Sequence, residues 1–101
     1  PADSVASASG ERFGEVQFFL HPNPVSAGGQ LNVRLTLPRA GRLEFRLLDN
    51  SGRAVRSFDL GEKATGNQMF ELETAGLAAG VFFLGARLAG EWLGAARVVV
   101  E

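Results

Sequence analysis

The chain has 101 residues, of which 46% are hydrophobic and 21% are charged, so it can bury one core but is too short for two domains. Ten basic and eleven acidic residues leave a formal net charge of -1, which excludes a field strong enough to concentrate nucleic acid. Cysteine is absent, which excludes disulfides and thiolate metal sites.

Residues 1 to 15 are small and polar and show no hydrophobic period, and their stretch "SVASASG" is typical of a flexible linker. The segment has neither an initiator Met nor the basic start of a signal peptide. We therefore expect residues 1 to 15 to be a linker that joins an upstream part of a longer protein to one folded domain over residues 16 to 101.

From Val16 onward, short apolar runs alternate with breaks that contain Gly, Asn or Asp, and no window keeps a helical period for ten positions. The predicted strands cover residues 16 to 21, 30 to 37, 42 to 48, 53 to 60, 68 to 73, 81 to 88 and 92 to 100. Seven such strands predict an all-β fold, an immunoglobulin-like antiparallel β-sandwich.

Alternation within the strands predicts which side chains face the core. The expected inward residues of the second, third, sixth and seventh strands are Leu31, Val33, Leu35, Leu37, Leu43, Phe45, Leu47, Phe82, Leu84, Ala86, Leu88, Trp92, Ala96, Val98 and Val100. The opposite side of the last strands is then more apolar than solubility requires and is ringed by arginines. This expected outer face consists of Arg46, Leu48, Phe83, Arg87, Leu93, Arg97 and Val99.

Two turns carry recognisable local chemistry. In "LDNSGR", residues 48 to 53, the carboxylate of Asp49 can accept backbone N–H bonds and Gly52 can take a positive φ, so a structural role for Asp49 is favoured over a catalytic one. In "LAAGVF", residues 77 to 82, the spacing is similar to the corner between the fifth and sixth strands of immunoglobulin-like domains. Phe82 stands where that corner usually has a Tyr, so it can pack but cannot donate the corner hydrogen bond.

The stretch "HPNPVSAGG", residues 21 to 29, contains two prolines that lack N–H donors and cannot continue a paired central strand. We expect Pro22, Asn23 and Pro24 to form a joint through which the first strand leaves one sheet and crosses to the other. Asn23 is expected to hydrogen-bond nearby backbone rather than a ligand.

The supply of catalytic groups is thin. The chain has one His and no Cys, and His21 is expected to be a partly exposed edge residue. No metal-ligand spacing and no glycine-rich phosphate loop occurs. We therefore expect a domain that is not an enzyme and needs no cofactor.

Three signatures follow one another in a fixed order: "HPNP", then "LLDNSGRAV", then "LAAGVFFLGARLAG" with "RVVV" at the C-terminus. Together they resemble the type A C-terminal sorting domains of the type IX secretion system in Bacteroidetes. The residues that match the family motifs are Pro22, Asn23, Pro24, Asp49, Gly52, Arg53, Leu77, Gly80 and Phe82, with Arg97, Val98, Val99 and Val100 matching the basic-then-aliphatic ending.

The resemblance implies a secretion signal for a covalently linked cargo protein. The cargo would pass through the periplasm, an outer-membrane translocon would recognise the terminal domain, and a sortase-like protease would cut in the preceding linker, leaving the cargo at the cell surface or outside the cell. The residues implied in recognition are Arg46, Leu48, Phe83, Arg87, Leu93, Arg97, Val98, Val99 and Val100.

A passive immunoglobulin-like accessory module of a secreted protein, such as the flagellar hook-cap type of domain, is the alternative. A carbohydrate-binding version of this alternative requires Trp92 to be exposed, whereas a lone Trp at the start of a core strand is more often packed. In either case, unpaired edge strands can pair with another copy of the chain.

Overall fold

The computed structural model describes residues 10–13 and 16–101, with side chains from Val16 onward. Its strands are β1 (Gly10–Phe13), β2 (Val16–His21), β3 (Gln30–Leu37), β4 (Gly41–Asp49), β5 (Ala54–Lys63), β6 (Gly66–Glu73), β7 (Gly80–Leu88) and β8 (Glu91–Val100). They form two antiparallel sheets, in the orders β1-β2-β3-β6 and β5-β4-β7-β8, and the sheets pack face to face. The predicted all-β sandwich is therefore confirmed.

All seven predicted strands are present as β2 to β8, and β2 and β3 have the predicted bounds. They were predictable because each alternates apolar and polar residues between turn-forming breaks. Gly10–Phe13, however, lies inside the segment expected to be a linker and pairs antiparallel with β2. Four residues are too few to show the alternation by which the other strands were recognised. This strand forms through its pairing with β2. Residues 1 to 9, 14 and 15 lie outside the described residues.

The core lies between the sheets and is built from the inward residues of every strand from β2 to β8. In β3 and β4 all the residues expected to face inward are buried, from Leu31 through Leu47. Phe18 and Phe45 meet across the core with ring centroids 6.4 Å apart, and Phe70 packs edge-on against Phe45 at 5.3 Å. These aromatic contacts join the two sheets.

The seventh predicted strand departs from its expected faces at one point. Trp92, expected in the core, is 53% exposed, and Leu93, expected outside, is 1% exposed. The cause is a β-bulge: Trp92 pairs with Arg87 and Gly94 pairs with Ala86, so Leu93 is an extra residue on β8. A bulge reverses the alternation where it occurs, and it turns Leu93 into the core.

The described residues include no helix long and apolar enough to cross a membrane.

Candidate functional site

The proline segment forms the predicted joint between the two sheets. β2 pairs with β3 in the first sheet as far as His21. Four residues later, Val25 forms a parallel bridge with Val100 of β8, in the second sheet. Its N–H donates to the carbonyl oxygen of Val99 at 2.8 Å, and its carbonyl accepts from the N–H of Glu101 at 2.9 Å. The chain therefore crosses from one sheet to the edge of the other.

Asn23 completes this edge with its side chain. Its amide Nδ2 donates to the carbonyl oxygen of Arg97 at 2.9 Å, and its Oδ1 accepts from the N–H of Val99 at 2.9 Å. A side-chain amide offers both an N–H donor and a carbonyl acceptor, as the backbone of a neighbouring strand would. The prediction that Asn23 binds backbone is confirmed, although that backbone is distant in sequence rather than nearby.

Thr74 anchors the loop that follows the joint. It is 3% exposed, and its Oγ1 donates to the carbonyl oxygen of Gly29 at 2.7 Å. Its backbone N–H donates to the same oxygen at 3.1 Å. The sequence analysis did not single out Thr74, because a Thr at the end of a strand carries no local sign that a loop 45 residues earlier will contact it.

Asp49 organises the turn between β4 and β5, as predicted. Its Oδ1 accepts from the N–H of Ser51 at 2.9 Å, from the hydroxyl of Ser51 at 2.6 Å and from the N–H of Arg53 at 3.0 Å. These bonds, led by that from the Ser51 hydroxyl, lower the pKa of Asp49 below its ordinary value. Gly52 has a φ of +90°, which favours glycine there. The carboxylate is thus committed to the turn.

The corner before β7 places Phe82 in the core, at 8% exposure, and Leu77 packs against that core from a half-buried position. Gly80 begins β7 with a φ of +153°. Phe82 pairs with Asp49 of β4, and its neighbour Phe83 pairs with Leu48. The second and third signatures of the sequence are therefore adjacent in space.

The outer face of the β5-β4-β7-β8 sheet carries most of the residues expected there. Leu48, Phe83 and Val99 are half-buried on this face, and Phe83 pairs with Arg97 of β8. Arg46 lies beside Glu44, with 3.5 Å between Nε and Oε2, and Arg87 donates from Nη2 to the carbonyl oxygen of Gly90 at 2.8 Å. We call Arg46, Leu48, Phe83, Arg87, Trp92, Arg97 and Val99 the outer face.

Three residues expected to take part in recognition do not present side chains on the outer face. Leu93 was expected there and is buried, because of the bulge. Val98 and Val100 are buried too, as their inward positions predicted. Trp92 takes the place of Leu93, so the expectation that Trp92 packs in the core is wrong.

A concavity of about 570 Å³ lies on the outer face beside Trp92. Leu48, Phe83 and Ala95 line it together with Trp92, and residues 49 to 52 of the Asp49 turn form a further part of its lining. The lining is thus mainly apolar, with polar groups on the turn, and the volume lies within the range of small-molecule sites.

His21 is exposed at the end of β2, close to the partly exposed position expected. Among residues 10–13 and 16–101, no group of His, Asp and Glu side chains could hold a metal ion.

No protein-family model matches the sequence, and no curated protein matches it. The solved structures that are similar in fold include the following two. One is Pseudomonas fluorescens alkylpurine DNA glycosylase AlkC bound to DNA containing an abasic site analog, with 19% identity and a TM-score of 0.59 over 87% of this chain. The other is FlgD from P. aeruginosa, with 17% identity and a TM-score of 0.58 over 93% of this chain.

This chain spans 31% of the glycosylase chain and 77% of the FlgD chain. At these identities the similarity shows a shared sandwich fold and carries no function across.

Proposed function

We propose that the chain is a C-terminal sorting domain, a signal without catalytic activity that directs a covalently linked cargo protein across the outer membrane by the type IX secretion system. The proposal begins from the order of the three sequence signatures. One observation carries it further: Asn23 of the first signature bonds the backbone of Arg97 and Val99 in the last. The signatures act as parts of one structural unit, which is what a shared recognition role requires.

The outer face is the surface that we propose the translocon reads. It joins half-buried apolar side chains, Leu48, Phe83 and Val99, to an exposed Trp92 and to arginines at its margin. Protein interfaces are enriched in aromatic residues and Arg relative to the rest of the surface, and this face has both. Because Asn23 holds the end of β8 in place, it also fixes the position of Val99 on the face.

The proposed cut by the sortase-like protease falls in the linker, residues 1 to 15, outside the paired strand Gly10–Phe13. Proteolysis requires an extended chain that can enter the protease, and Gly10–Phe13 is already paired with β2. The proposed route runs through the periplasm to the outer membrane, the cell surface or the medium.

A fusion experiment tests the proposal. Residues 1–101 are joined to the C-terminus of a periplasmic reporter with its own signal peptide, in a cell that has the type IX system and in the same cell without the translocon. We expect the reporter in the surface and medium fractions of the first cell alone. Mass spectrometry should locate the cut within residues 1 to 15, outside Gly10–Phe13. A reporter retained in the periplasm of both cells would exclude the proposed function.

A further inference from the structure

Trp92 is held on the outer face by two features of the sheet. The bulge at Leu93 turns the indole outward. Gly85, on the neighbouring strand β7, then leaves room for it: a Cβ on Gly85 would lie 2.2 Å from the Cη2 of Trp92 and 2.7 Å from its Cζ3. The six-membered ring of the indole therefore occupies the space in which any other residue would place its side chain.

Gly85 has no backbone reason to be glycine. Eight glycines of the described chain have a positive φ and Gly85 is not one of them. Glycine inside a strand weakens the strand and often marks a close approach by another group. The described structure supplies that group, because the ring of Trp92 lies against Gly85. The outcome is a fixed aromatic ring that remains 53% exposed.

The concavity beside this ring is rigid on its opposite side. The Asp49 carboxylate ties the turn by its bonds to Ser51 and Arg53. Asn50 and Ser51 are exposed on the turn and line the concavity, and the Ser51 hydroxyl oxygen can still accept a hydrogen bond. The site thus combines apolar side chains, the ring of Trp92 and polar groups on the Asp49 turn.

We propose that this concavity binds a pyranose ring of a glycan, with the apolar C–H face of the sugar on Trp92 and its hydroxyl groups toward Asn50 and Ser51. The inference goes beyond the sorting role and does not depend on it. Either a sorting domain or an accessory module of a secreted protein could carry such a site.

The position of the concavity on the face of a sheet favours a sugar over a peptide. β4 and β7 are inner strands whose backbone groups bond to neighbours on both sides, and the backbone groups of the edge strand β8 point along the plane of the sheet. The apolar floor of Leu48, Phe83 and Ala95 therefore offers no main-chain partners to a chain lying on the face. A peptide lying on that floor would bury its own N–H and C=O groups without partners, which is costly. A sugar ring carries its hydroxyl groups at its rim, where the turn and water satisfy them.

The single Trp of the chain makes the test direct, since there is no Tyr and emission reports on Trp92 alone. The protein is titrated with cellohexaose, chitohexaose and maltohexaose at up to millimolar concentrations while the emission of Trp92 is followed. We expect a saturable blue shift with at least one of the three. No shift with any of them, or a shift with an apolar peptide in place of the sugars, overturns the proposal.

Variants then locate the site, with affinity measured by calorimetry. Trp92→Ala is expected to weaken binding at least tenfold, and Gly85→Ala to weaken it because its Cβ displaces the indole. Val81→Ala removes another exposed apolar side chain of the same sheet outside the concavity, and it should leave affinity within twofold. Circular dichroism confirms folding of each variant. Undiminished affinity in a folded Trp92→Ala protein would contradict the proposal.

Discussion

The side chain of Asn23 and the main chain of Val99 are 76 residues apart in sequence, yet they are joined by a 2.9 Å hydrogen bond. Asn23 also donates to the carbonyl oxygen of Arg97. Its side chain therefore bonds the two backbone groups on the edge of β8 that a further strand would otherwise bond. Unpaired strand edges invite pairing with other chains, and here the last part of β8 is covered instead. Val25 continues the cover to the end of the strand.

Replacing Asn23 tests this cover. Asn23→Ala leaves the N–H of Val99 and the carbonyl of Arg97 without the partners that Asn23 supplied, and we expect a loss of about 1–3 kcal/mol in the free energy of unfolding. Hydrogen exchange at the amide of Val99 should rise sharply, because that N–H bonds to Asn23 Oδ1.

Asn23→Asp is the matched variant. A carboxylate still accepts from the N–H of Val99 but cannot donate to Arg97, so Val99 should keep most of its protection while stability still falls. Equal loss of protection at Val99 in the two variants would show that Asn23 acts only through general packing.

The ionised carboxylate of Asp49 makes the stability of the fold depend on pH. Its pKa is below the ordinary value of 3.8 because the folded turn bonds the ionised form, so the carboxylate stabilises the fold above that value. That contribution to stability begins to fall when the pH drops below about 4, and it is gone once the pH is below the lowered pKa of Asp49 in the folded state.

Asp49→Asn should therefore be less stable than the parent at pH 7, and the difference should shrink toward zero as the pH is lowered below about 4. The comparison must be made between the two proteins, because Asp59 also has a lowered pKa, owing first to its hydrogen bond with Arg42. Denaturant unfolding at a series of pH values measures the difference. A gap that stays constant down to acid pH would contradict the assigned role of the carboxylate.

The bulge predicts different effects of truncation at two apolar positions of β8, Leu93 and Val99, which simple alternation places on the same outer face. Leu93→Ala should cost about 2–5 kcal/mol, because it opens a cavity at a side chain that is 1% exposed. Val99→Ala, on the half-buried outer face, should cost less than half as much. Simple alternation would place both side chains on the outer face and would predict similarly small losses of stability for the two variants. Chemical denaturation of the two variants decides, and comparable losses would argue against the bulge.

Thr74 provides a buried hydroxyl whose loss can be measured. Thr74→Val keeps the side-chain shape but removes the donor to Gly29, and we expect a loss of about 0.5–1.5 kcal/mol, since the backbone N–H of Thr74 still serves that carbonyl. Thr36→Val is the control: its hydroxyl donates to Asn67 Oδ1 on the exposed side of the first sheet, and its loss should stay within about 0.5 kcal/mol. If both variants behaved alike, Thr74 would not be the anchor described.

The strands were predictable because their signal is local: Leu31, Val33 and Leu35 alternate with polar residues and need no knowledge of distant partners. The Asp49 turn was predictable for the same reason, since its partners Ser51 and Arg53 are within four residues. The conformation of Trp92 was not, because a bulge is a relation between β7 and β8 and neither strand contains it alone. Asn23 was identified as a backbone-binding residue, but its actual partners depend on the crossing between sheets.

The central proposal is that the secretion translocon binds the outer face of the domain during export. The most direct measurement is the fraction of a reporter–domain fusion that reaches the surface and medium when Leu48 and Phe83 are both replaced by Ser. The control is Met69→Ser, which changes a side chain 73% exposed on the other sheet. The account predicts that the double variant folds by circular dichroism but is retained in the periplasm, while the control is exported like the parent. Export of the folded double variant at the parent level would contradict it.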